Sequence, residues 1–217
     1  MSTSVEITCV PLGRQHAGAV AELHISGIPT GFISSLGPAF VTVLYEALAD
    51  SPDSFGFVAL MGGRVVGYNS ITSNLTRLYR AILRRVGFKF AWLLARQMLS
   101  FQTLRRILET LLYPQRIRNL HLPDAEILAG VVLPEARGFQ VANRLFDLAM
   151  EECRKRGIAE VKAAAADSLQ RVNKIYQLSG LQIRARVVNH GIITNIYVIP
   201  TGLLSASPPA HQEPKGP

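Results

Sequence analysis

The sequence predicts an α/β domain in which helices flank a mixed central sheet. Strand-like and helix-like periodicities alternate along the chain, which is the pattern of mixed α/β folds. Residues 55–61 and 65–71 are two β-rich runs joined by a turn that contains Gly62 and Gly63, as in a tight hairpin. Farther along, an apolar run at 125–133 precedes a glycine-containing loop and a long helical pattern. These three observations together favour one layered domain.

Length and composition agree with this fold class. The chain has 217 residues, of which 48% are hydrophobic and only 18% charged, so it can bury a sizeable core and is not a disordered chain. We expect a single domain over 1–204. The final residues, 205–217, are rich in proline and poor in apolar side chains, and they are predicted to form a disordered tail.

The first third of the chain is predicted to run β-α-α-β-β. A short strand at 5–10 precedes a helix at about 14–25. A loop rich in Gly, Pro and Ser occupies 26–38, and a second helix runs from Pro38 to about Asp50. Pro38 suits the first turn of a helix because the N–H that it lacks would be unpaired there. The hairpin described above completes this part.

The segment 77–118 is predicted to be helical and unusually basic. It carries ten Lys and Arg residues against the single acid Glu109, a net charge of +9, whereas the whole chain carries +8. The basicity is therefore local, and the rest of the chain is close to neutral. Gly87 is predicted to divide the segment into two helices. We expect a basic helical insert between strands three and four.

The remainder is predicted to run β-α-β-α-β-β. The predicted elements are a strand at 125–133, a helix at 138–156, a strand at 159–165, a helix at 168–179 and strands at 181–188 and 192–199. Gly157 follows the first of these helices, as expected at a helix C-terminus.

Several classes of protein are excluded by the residues that are missing. Cys9 and Cys153 are too few for a disulfide framework and wrongly spaced for a zinc site, so we expect no metal. The N-terminal residues lack the basic and apolar regions of a signal peptide, and no run of about 18 apolar residues predicts a transmembrane span. The expectation is a cytoplasmic globular protein whose net charge of +8 favours an anionic ligand or partner.

The loop at 137–142 carries the clearest functional signal. A strand that ends in such a loop and opens a helix places free backbone N–H groups at the positive end of the helix dipole, which favours a bound phosphate. It is not a P-loop, because no Gly-Lys-Ser/Thr follows, and the dinucleotide pattern G-x-G-x-x-G is absent. An ordinary strand-to-helix turn is the alternative interpretation.

At this point the sequence resembles the GNAT acetyltransferase superfamily, whose loop after the fourth strand reads Gln/Arg-x-x-Gly-x-Gly/Ala. Arg137 and Ala142 fit the first and last positions, whereas Gln140 stands where the family usually has its central glycine. Glycine there allows the backbone to approach the pyrophosphate of coenzyme A, so Gln140 either tolerates the loop geometry or weakens binding.

A second segment and the order of the elements strengthen the resemblance. Residues 175–181 (IYQLSGL) resemble the tyrosine motif with which the family closes its fourth helix. The resemblance covers roughly 5–76 and 120–199, and the basic insert lies outside it.

The resemblance implies that acetyl-CoA is the co-substrate and lies in a splayed cleft between the fourth and fifth strands. Two sets of residues would hold it. The backbone of Val131, Val132 and Leu133 would pair with pantetheine, and the loop formed by Arg137, Gly138, Phe139, Gln140, Val141 and Ala142 would bind the pyrophosphate through the amides of its last four residues.

The resemblance also implies two catalytic residues. Tyr176 resembles the tyrosine that protonates the departing thiolate, although a tyrosine here could also simply cap its helix with an apolar body and a polar tip. Glu126 resembles the fourth-strand carboxylate that some members use as the general base; the alternative, which we favour, is a solvated carboxylate at a strand start. His24 and His190 are expected to be packed or surface residues, and Cys153 a core residue.

The acceptor cannot be read from the sequence, but three loop residues and two insert residues are candidates. In this fold the 26–38 loop would lie near the acceptor, where Thr30, Ser34 and Ser35 could bind it; turn-forming residues are equally expected in any loop. Arg84 and Arg85 of the insert could recognise an anionic acceptor such as a nucleotide-linked amino sugar.

Other roles for the insert 77–118 remain open. It could be a solvated helical hairpin that covers the sheet or the acceptor cleft, or a peripheral contact with anionic lipid through its aromatic and basic residues. A nucleic-acid face is disfavoured, because the arginines alternate with too much aliphatic surface.

The sequence therefore predicts an acetyl-CoA-dependent N-acetyltransferase that acts on an amine, with a small molecule or an amino sugar favoured. The alternative is a catalytically degenerate module that binds acyl-CoA or an anionic surface, which Gln140 and the cationic insert motivate. Nothing in the sequence indicates the oligomeric state.

Overall fold

The computed structural model describes residues 6–96, 101–137 and 140–202. Within these ranges the chain forms one seven-stranded sheet and six α-helices. The strands are β1 (Ile7–Pro11), β2 (Ser54–Met61), β3 (Arg64–Thr72), β4 (Glu126–Val132), β5 (Glu160–Ala166), β6 (Ile183–Asn189) and β7 (Ile192–Pro200). The helices are α1 (Ala17–Gly27), α2 (Pro38–Ala49), α3 (Leu75–Arg96), α4 (Phe101–Arg116), α5 (Val141–Lys155) and α6 (Gln170–Leu178).

The sheet is mixed, as predicted. Its strand order is β1-β2-β3-β4-β5-β7-β6, and every neighbouring pair is antiparallel except β4 and β5. The parallel pair is short: only Glu126 with Lys162 and Ile127 with Ala163 are in register. Beyond Ile127 the two strands separate, so the centre of the sheet opens toward the C-terminal end of β4.

The hairpin between β2 and β3 follows its sequence closely. Gly62 and Gly63 both adopt positive φ angles, 56° and 81°. A two-residue turn needs this conformation at both positions to match the twist of the strands, and glycine adopts it at no steric cost.

Helices cover both faces of the sheet. On one face α1 and α2 pack against Val58 and Tyr68, and α3 joins the same core through Leu78 and Phe90. On the other face α5 buries Met150 and its neighbours against Ile71, Val161 and Ile199. The face that carries α1 to α3 also receives α4, whose Tyr113 packs with Ile196 of β7.

The basic segment forms α3 and α4, between β3 and β4. The prediction that Gly87 divides it is wrong, because α3 continues through Gly87. An interior glycine costs a helix only about 1 kcal/mol, and burial of Ile82 and Phe90 on either side outweighs that cost. The Phe90 ring stacks on Phe40 of α2 with 4.3 Å between centroids.

The predicted tail 205–217 lies outside the described residues. In the part of the chain that the structure describes, no helix combines the length and apolarity needed to cross a membrane.

Candidate active site

The opening between β4 and β5 exposes backbone groups that a sheet would normally pair. Leu133 N–H donates to the Val66 carbonyl oxygen at 2.8 Å, and the Leu133 carbonyl accepts from Ala136 N–H at 3.0 Å. Both backbone groups of Leu133 are thus engaged, which does not fit its predicted role toward pantetheine. Because backbone groups alternate in direction along a strand, Val131 also faces β3, and Val132 faces the opening.

The first turn of α5 lies at the end of this opening and is uncapped. The first hydrogen bond of the helix runs from Arg144 N–H to the Gln140 carbonyl at 2.9 Å, and the Gln140 side chain does not cap the helix. The N–H groups of Val141, Ala142 and Asn143 therefore have no partner within the helix. Together with the positive end of the helix dipole they form a site suited to a phosphate group.

Gln140 takes the backbone conformation that glycine would take in this loop. Its φ and ψ are 54° and 23°, in the left-handed region, at a cost of about 1 kcal/mol for a residue with a Cβ. The loop geometry is therefore compatible with glutamine. Arg137 is exposed at the start of the loop. The predicted residues Gly138 and Phe139 lie outside the described residues.

Tyr176 is half-buried on α6, and its ring lies 4.8 Å from that of Tyr197. Burial, followed by the neighbouring Tyr197, raises the pKa of the Tyr176 hydroxyl, so the group stays protonated at neutral pH. A protonated phenol can donate a proton to a thiolate.

A buried amide that the sequence analysis missed fixes α6 in place. Asn173 donates to the Ala166 carbonyl at the end of β5 at 2.8 Å, and its amide oxygen accepts hydrogen bonds from Asn195 and from the Tyr197 hydroxyl. Its position one turn before Tyr176 is the signal that could have indicated this role.

Glu126 is buried, so the favoured expectation of a solvated carboxylate is wrong. Burial raises the pKa of Glu126 to about 7, and the opposing charge of Lys162 limits the shift. Lys162 Nζ lies 3.4 Å from Glu126 Oε2, but this oxygen has no hydrogen-bond partner among the described residues. Lys162 Nζ instead donates to the carbonyls of Pro123 and Asp124, at 2.6 Å and 3.1 Å.

Two tyrosines of the insert surround the same carboxylate. Burial and then the charge of Glu126 raise the pKa values of Tyr79 and Tyr113 well above their usual range. The hydroxyl of Tyr113 is buried, and among the described residues it has no hydrogen-bond partner. Neither tyrosine was predicted, because the most prominent pattern in the sequence of the insert is its arginines.

The candidate acid and base lie on opposite faces of the sheet. Leu128, which shares a strand face with Glu126, packs with the insert cluster around Tyr113. Ile127 points to the other face and packs in the α5 cluster, as does Tyr176. A group held in the opening between β4 and β5 would therefore have a carboxylate on one side and a phenol on the other.

The predicted acceptor residues of the 26–38 loop are largely occupied by local contacts. Ser34 donates to the Ile28 carbonyl at 2.7 Å, and Ser35 donates to the Phe32 carbonyl at 2.6 Å. These are turn-forming hydrogen bonds, which agree with the alternative interpretation of the loop. Thr30 is exposed.

The two predicted arginines of the insert also have other contacts. Arg85 pairs with Asp50, the residue after α2, at 3.0 Å. Arg84 Nε donates to the Arg80 carbonyl, one helical turn earlier, at 3.4 Å. The structure does not bring either of them to Glu126.

The histidines and the helical cysteine are packed, as expected. His24 Nδ1 lies 2.8 Å from the hydroxyls of both Tyr45 and Tyr68, and burial lowers its pKa to about 4. Cys153 is fully buried, and burial raises the pKa of its thiol to about 11.

His190 links the insert to the β6–β7 turn. Its Nδ1 lies 3.1 Å from Glu109 Oε2, and its Nε2 lies 3.1 Å from Thr110 Oγ1, both on α4. Its ring packs at 4.8 Å from that of Phe32, in the loop before α2. This contact holds α4 over the β6–β7 end of the sheet.

Two further predictions stay open. A peripheral lipid contact of the insert stays a prediction; Phe88, 91% exposed, and Trp92, 53% exposed, are the aromatic residues on the outer side of α3. Over residues 6–96, 101–137 and 140–202, no group of three or more His, Cys, Asp or Glu side chains could hold a metal ion.

Comparison with known proteins gives one family and a group of similar folds. The model of the acetyltransferase (GNAT) family matches residues 29–181. No curated protein matches the chain. Among solved structures, the polyamine N acetyltransferase of Drosophila melanogaster has a TM-score of 0.61 and 15% identity over 90% of this chain and 100% of that one.

Two other solved structures share the fold at similar distance. An N-acetyltransferase from Staphylococcus aureus Mu50 has a TM-score of 0.58 and 12% identity over 90% of this chain and 99% of that one. NAA60 of Arabidopsis thaliana, solved in complex with acetyl-CoA, has a TM-score of 0.55 and 10% identity over 89% of this chain and 98% of that one. These likenesses confirm the predicted fold class, a mixed sheet flanked by helices.

Proposed function

Since the chain belongs to the acetyltransferase (GNAT) family, we propose that it is an N-acetyltransferase that moves the acetyl group of acetyl-CoA to an amine, with small molecules and amino sugars as the favoured acceptors. The observation that carries this proposal is the separation of β4 from β5 beside the uncapped first turn of α5. The names of two structural neighbours, a polyamine N acetyltransferase and NAA60 in complex with acetyl-CoA, support the same reaction class.

The residues present fit acetyl-CoA. The amides of Val141, Ala142 and Asn143 would hold its pyrophosphate, and the backbone of Val132 would pair with its pantetheine arm. Acetyl-CoA supplies a thioester whose carbonyl carbon an amine can attack, so that a C–N bond forms while the C–S bond breaks.

Glu126 is suited to act as the general base. An amine is protonated at neutral pH and must lose a proton before it can attack a carbonyl carbon. A carboxylate whose pKa is about 7 is half ionised at neutral pH and holds the transferred proton far better than an ordinary glutamate does. Lys162 keeps part of the Glu126 population ionised despite its burial.

Tyr176 is suited to act as the general acid. Its hydroxyl stays protonated at neutral pH and would transfer its proton to the departing sulfur from the α5 face of the sheet. Glu126 collects a proton on the other face, so the two transfers do not compete for one group.

Release of free thiol from acetyl-CoA tests the proposal. The purified chain is incubated with acetyl-CoA and a panel of amines and amino sugars, and the acetylated product is identified by mass spectrometry. We expect at least one amine to be acetylated well above the rate without acceptor. Thiol release that no amine accelerates would contradict the proposed function.

A further inference from the structure

A cavity of about 340 Å³ opens beside the first residue of β4, under the ends of α3 and α4. Its polar lining comes from Asn74, Thr76, Arg80, Gln115, Arg118, Asp124 and Lys162. The volume is at the lower end of the range for small-molecule sites. It lies at the edge of the sheet opposite the first turn of α5, so it is separate from the site that we assign to the pyrophosphate.

Two cations of this cavity have no counter-charge. Arg80 and Arg118 make no ion pair with any described residue, whereas Arg77 pairs with Asp53 at 2.9 Å. The one acidic residue of the lining, Asp124, accepts a hydrogen bond from the Asn74 amide at 3.0 Å. The lining is therefore positively charged, and two guanidinium groups are available to a ligand.

The third cation connects the cavity to the candidate base. Lys162 lines the cavity, and its Nζ lies 3.4 Å from Glu126 Oε2. The Tyr113 hydroxyl, which has no partner among the described residues, belongs to the residue before Pro114 in the cavity wall. A ligand in the cavity would thus lie next to the group that removes the proton from the acceptor.

We propose that this cavity is the specificity pocket for the acceptor, and that the acceptor is an amine that also carries an oxyanion, which Arg80 and Arg118 bind. The inference rests on the proposed function and names its substrate class. A guanidinium group binds the two oxygens of a carboxylate or phosphate through parallel hydrogen bonds, and each of these oxyanions fits the pocket chemically. Arg80 and Arg118 replace Arg84 and Arg85 as the anion-binding residues.

The same charges work against a second class of amine. A polyamine would bring a second ammonium group into a pocket that already holds two unpaired guanidinium groups and Lys162, and like charges repel. The pocket therefore selects for an anionic group and against an additional cation.

Two matched pairs of acceptors test the inference and separate the two possible oxyanions. Glucosamine 6-phosphate against glucosamine tests phosphate, and lysine against cadaverine tests carboxylate. For each acceptor we would measure kcat/KM with saturating acetyl-CoA, and the dissociation constant by calorimetry with coenzyme A present. We expect the anionic member of at least one pair to be preferred by about tenfold or more.

Variants locate the effect in the pocket. Arg80→Gln and Arg118→Gln should each raise KM for the preferred anionic acceptor by about tenfold, and neither should raise KM for the partner that lacks the oxyanion. Arg84→Gln is the matched control, because it removes the same charge one turn farther along α3, outside the lining. Its KM values should remain those of the unmodified chain.

The outcomes separate this inference from the proposed function. Acetyl transfer without preference in either pair would contradict the proposed role of the pocket and would still support the proposed reaction. Anionic binding that Arg80→Gln abolishes, without acetyl transfer, would support the pocket and contradict the reaction. An equal loss in Arg80→Gln and Arg84→Gln would overturn the pocket, because it would indicate a general effect of net charge.

Discussion

The two ends of β4 offer different groups to a ligand, and we call them the cofactor end and the acceptor end. At the C-terminal end of β4, the groups available to a ligand are the backbone amides of α5's first turn and the backbone of Val132. At the N-terminal end of β4, the available groups are side chains: Glu126, Lys162 and the arginines of the cavity. The first end suits a phosphate group, which is a ligand common to many proteins. The second end suits an acceptor particular to this chain.

This difference shows how the chain divides its tasks. Backbone amides depend on the path of the loop and tolerate changes of side chain, so the end that we assign to the cofactor accommodates Gln140. The acceptor end depends on α3 for Tyr79 and Arg80, on α4 for Tyr113, and on the short turn after α4 for Arg118. Substitutions at the two ends should therefore affect different kinetic constants.

The largest effect is expected at the base. Glu126→Gln should lower kcat by about a thousandfold, because the amide cannot accept the ammonium proton, and should leave the dissociation constant of acetyl-CoA unchanged. In the unmodified chain kcat/KM should rise as the pH passes through about 7, since the ionised carboxylate is the active form.

The pH profile gives the decisive control for Glu126. Below pH 7 the rate of the unmodified chain should fall about tenfold per pH unit, and the residual rate of Glu126→Gln should lack this step. A step of the same height and position in the variant would assign the titration to another group.

Removal of the proposed general acid, Tyr176, should lower kcat less than removal of the proposed base does. Tyr176→Phe should lower kcat by about a hundredfold, because the thiolate can still leave without full protonation, while the ring packing against Tyr197 is kept. Measurement of kcat beside the dissociation constant of acetyl-CoA checks this. A large loss of acetyl-CoA affinity with kcat unchanged would indicate that Tyr176 only shapes the cofactor end.

Loss of the contact between α4 and the β6–β7 turn should affect the acceptor end and not the cofactor end. His190→Asn removes the contacts with Glu109 and Thr110 and should lower the free energy of unfolding by about 2 kcal/mol. It should also raise acceptor KM, with the affinity for acetyl-CoA unchanged. Asparagine is chosen because His190 has a φ of 52°, a conformation that asparagine tolerates.

His121→Asn is the matched control for this substitution, because His121 also has a positive φ, 49°, and is exposed. An equal loss of stability in both variants would show that the contacts of His190 do not hold α4.

The smallest effect is expected at Gln140. Gln140→Gly relieves the left-handed strain and should raise the free energy of unfolding by about 1 kcal/mol, with acetyl-CoA bound at least as tightly as before. Chemical denaturation and calorimetry measure the two quantities. A loss of affinity for acetyl-CoA would mean that the Gln140 side chain itself takes part in binding.

The helix start at the cofactor end could be predicted from the sequence because it depends on local chain geometry, whereas the direction of the Val131 and Leu133 backbone groups could not. The strand, loop and helix around 137–142 carry their own turn and helix signals, and the alternation of elements indicated the mixed sheet. The tyrosine motif placed Tyr176 on a helix before Gly180. These features need no knowledge of distant contacts.

The acceptor end could not be predicted in the same way. The burial of Glu126 depends on α3 and α4, which come before it in the chain and fold over it, and no local pattern encodes that contact. The continuity of α3 through Gly87 likewise depends on burial of Phe90 against Phe40. The unpaired state of Arg80 depends on where distant acidic residues lie, since Asp53 pairs with Arg77 and Asp50 with Arg85 of the same helix.

The most direct test of the account is a calorimetric titration of the chain with acetyl-CoA beside S-acetylpantetheine, which carries the same thioester without the nucleotide and its pyrophosphate. Coenzyme A and a free nucleotide serve as controls. If the first turn of α5 binds the pyrophosphate, acetyl-CoA should bind in the micromolar range and S-acetylpantetheine at least about tenfold more weakly. Equal affinity of the two thioesters, or no binding of acetyl-CoA, would contradict the account.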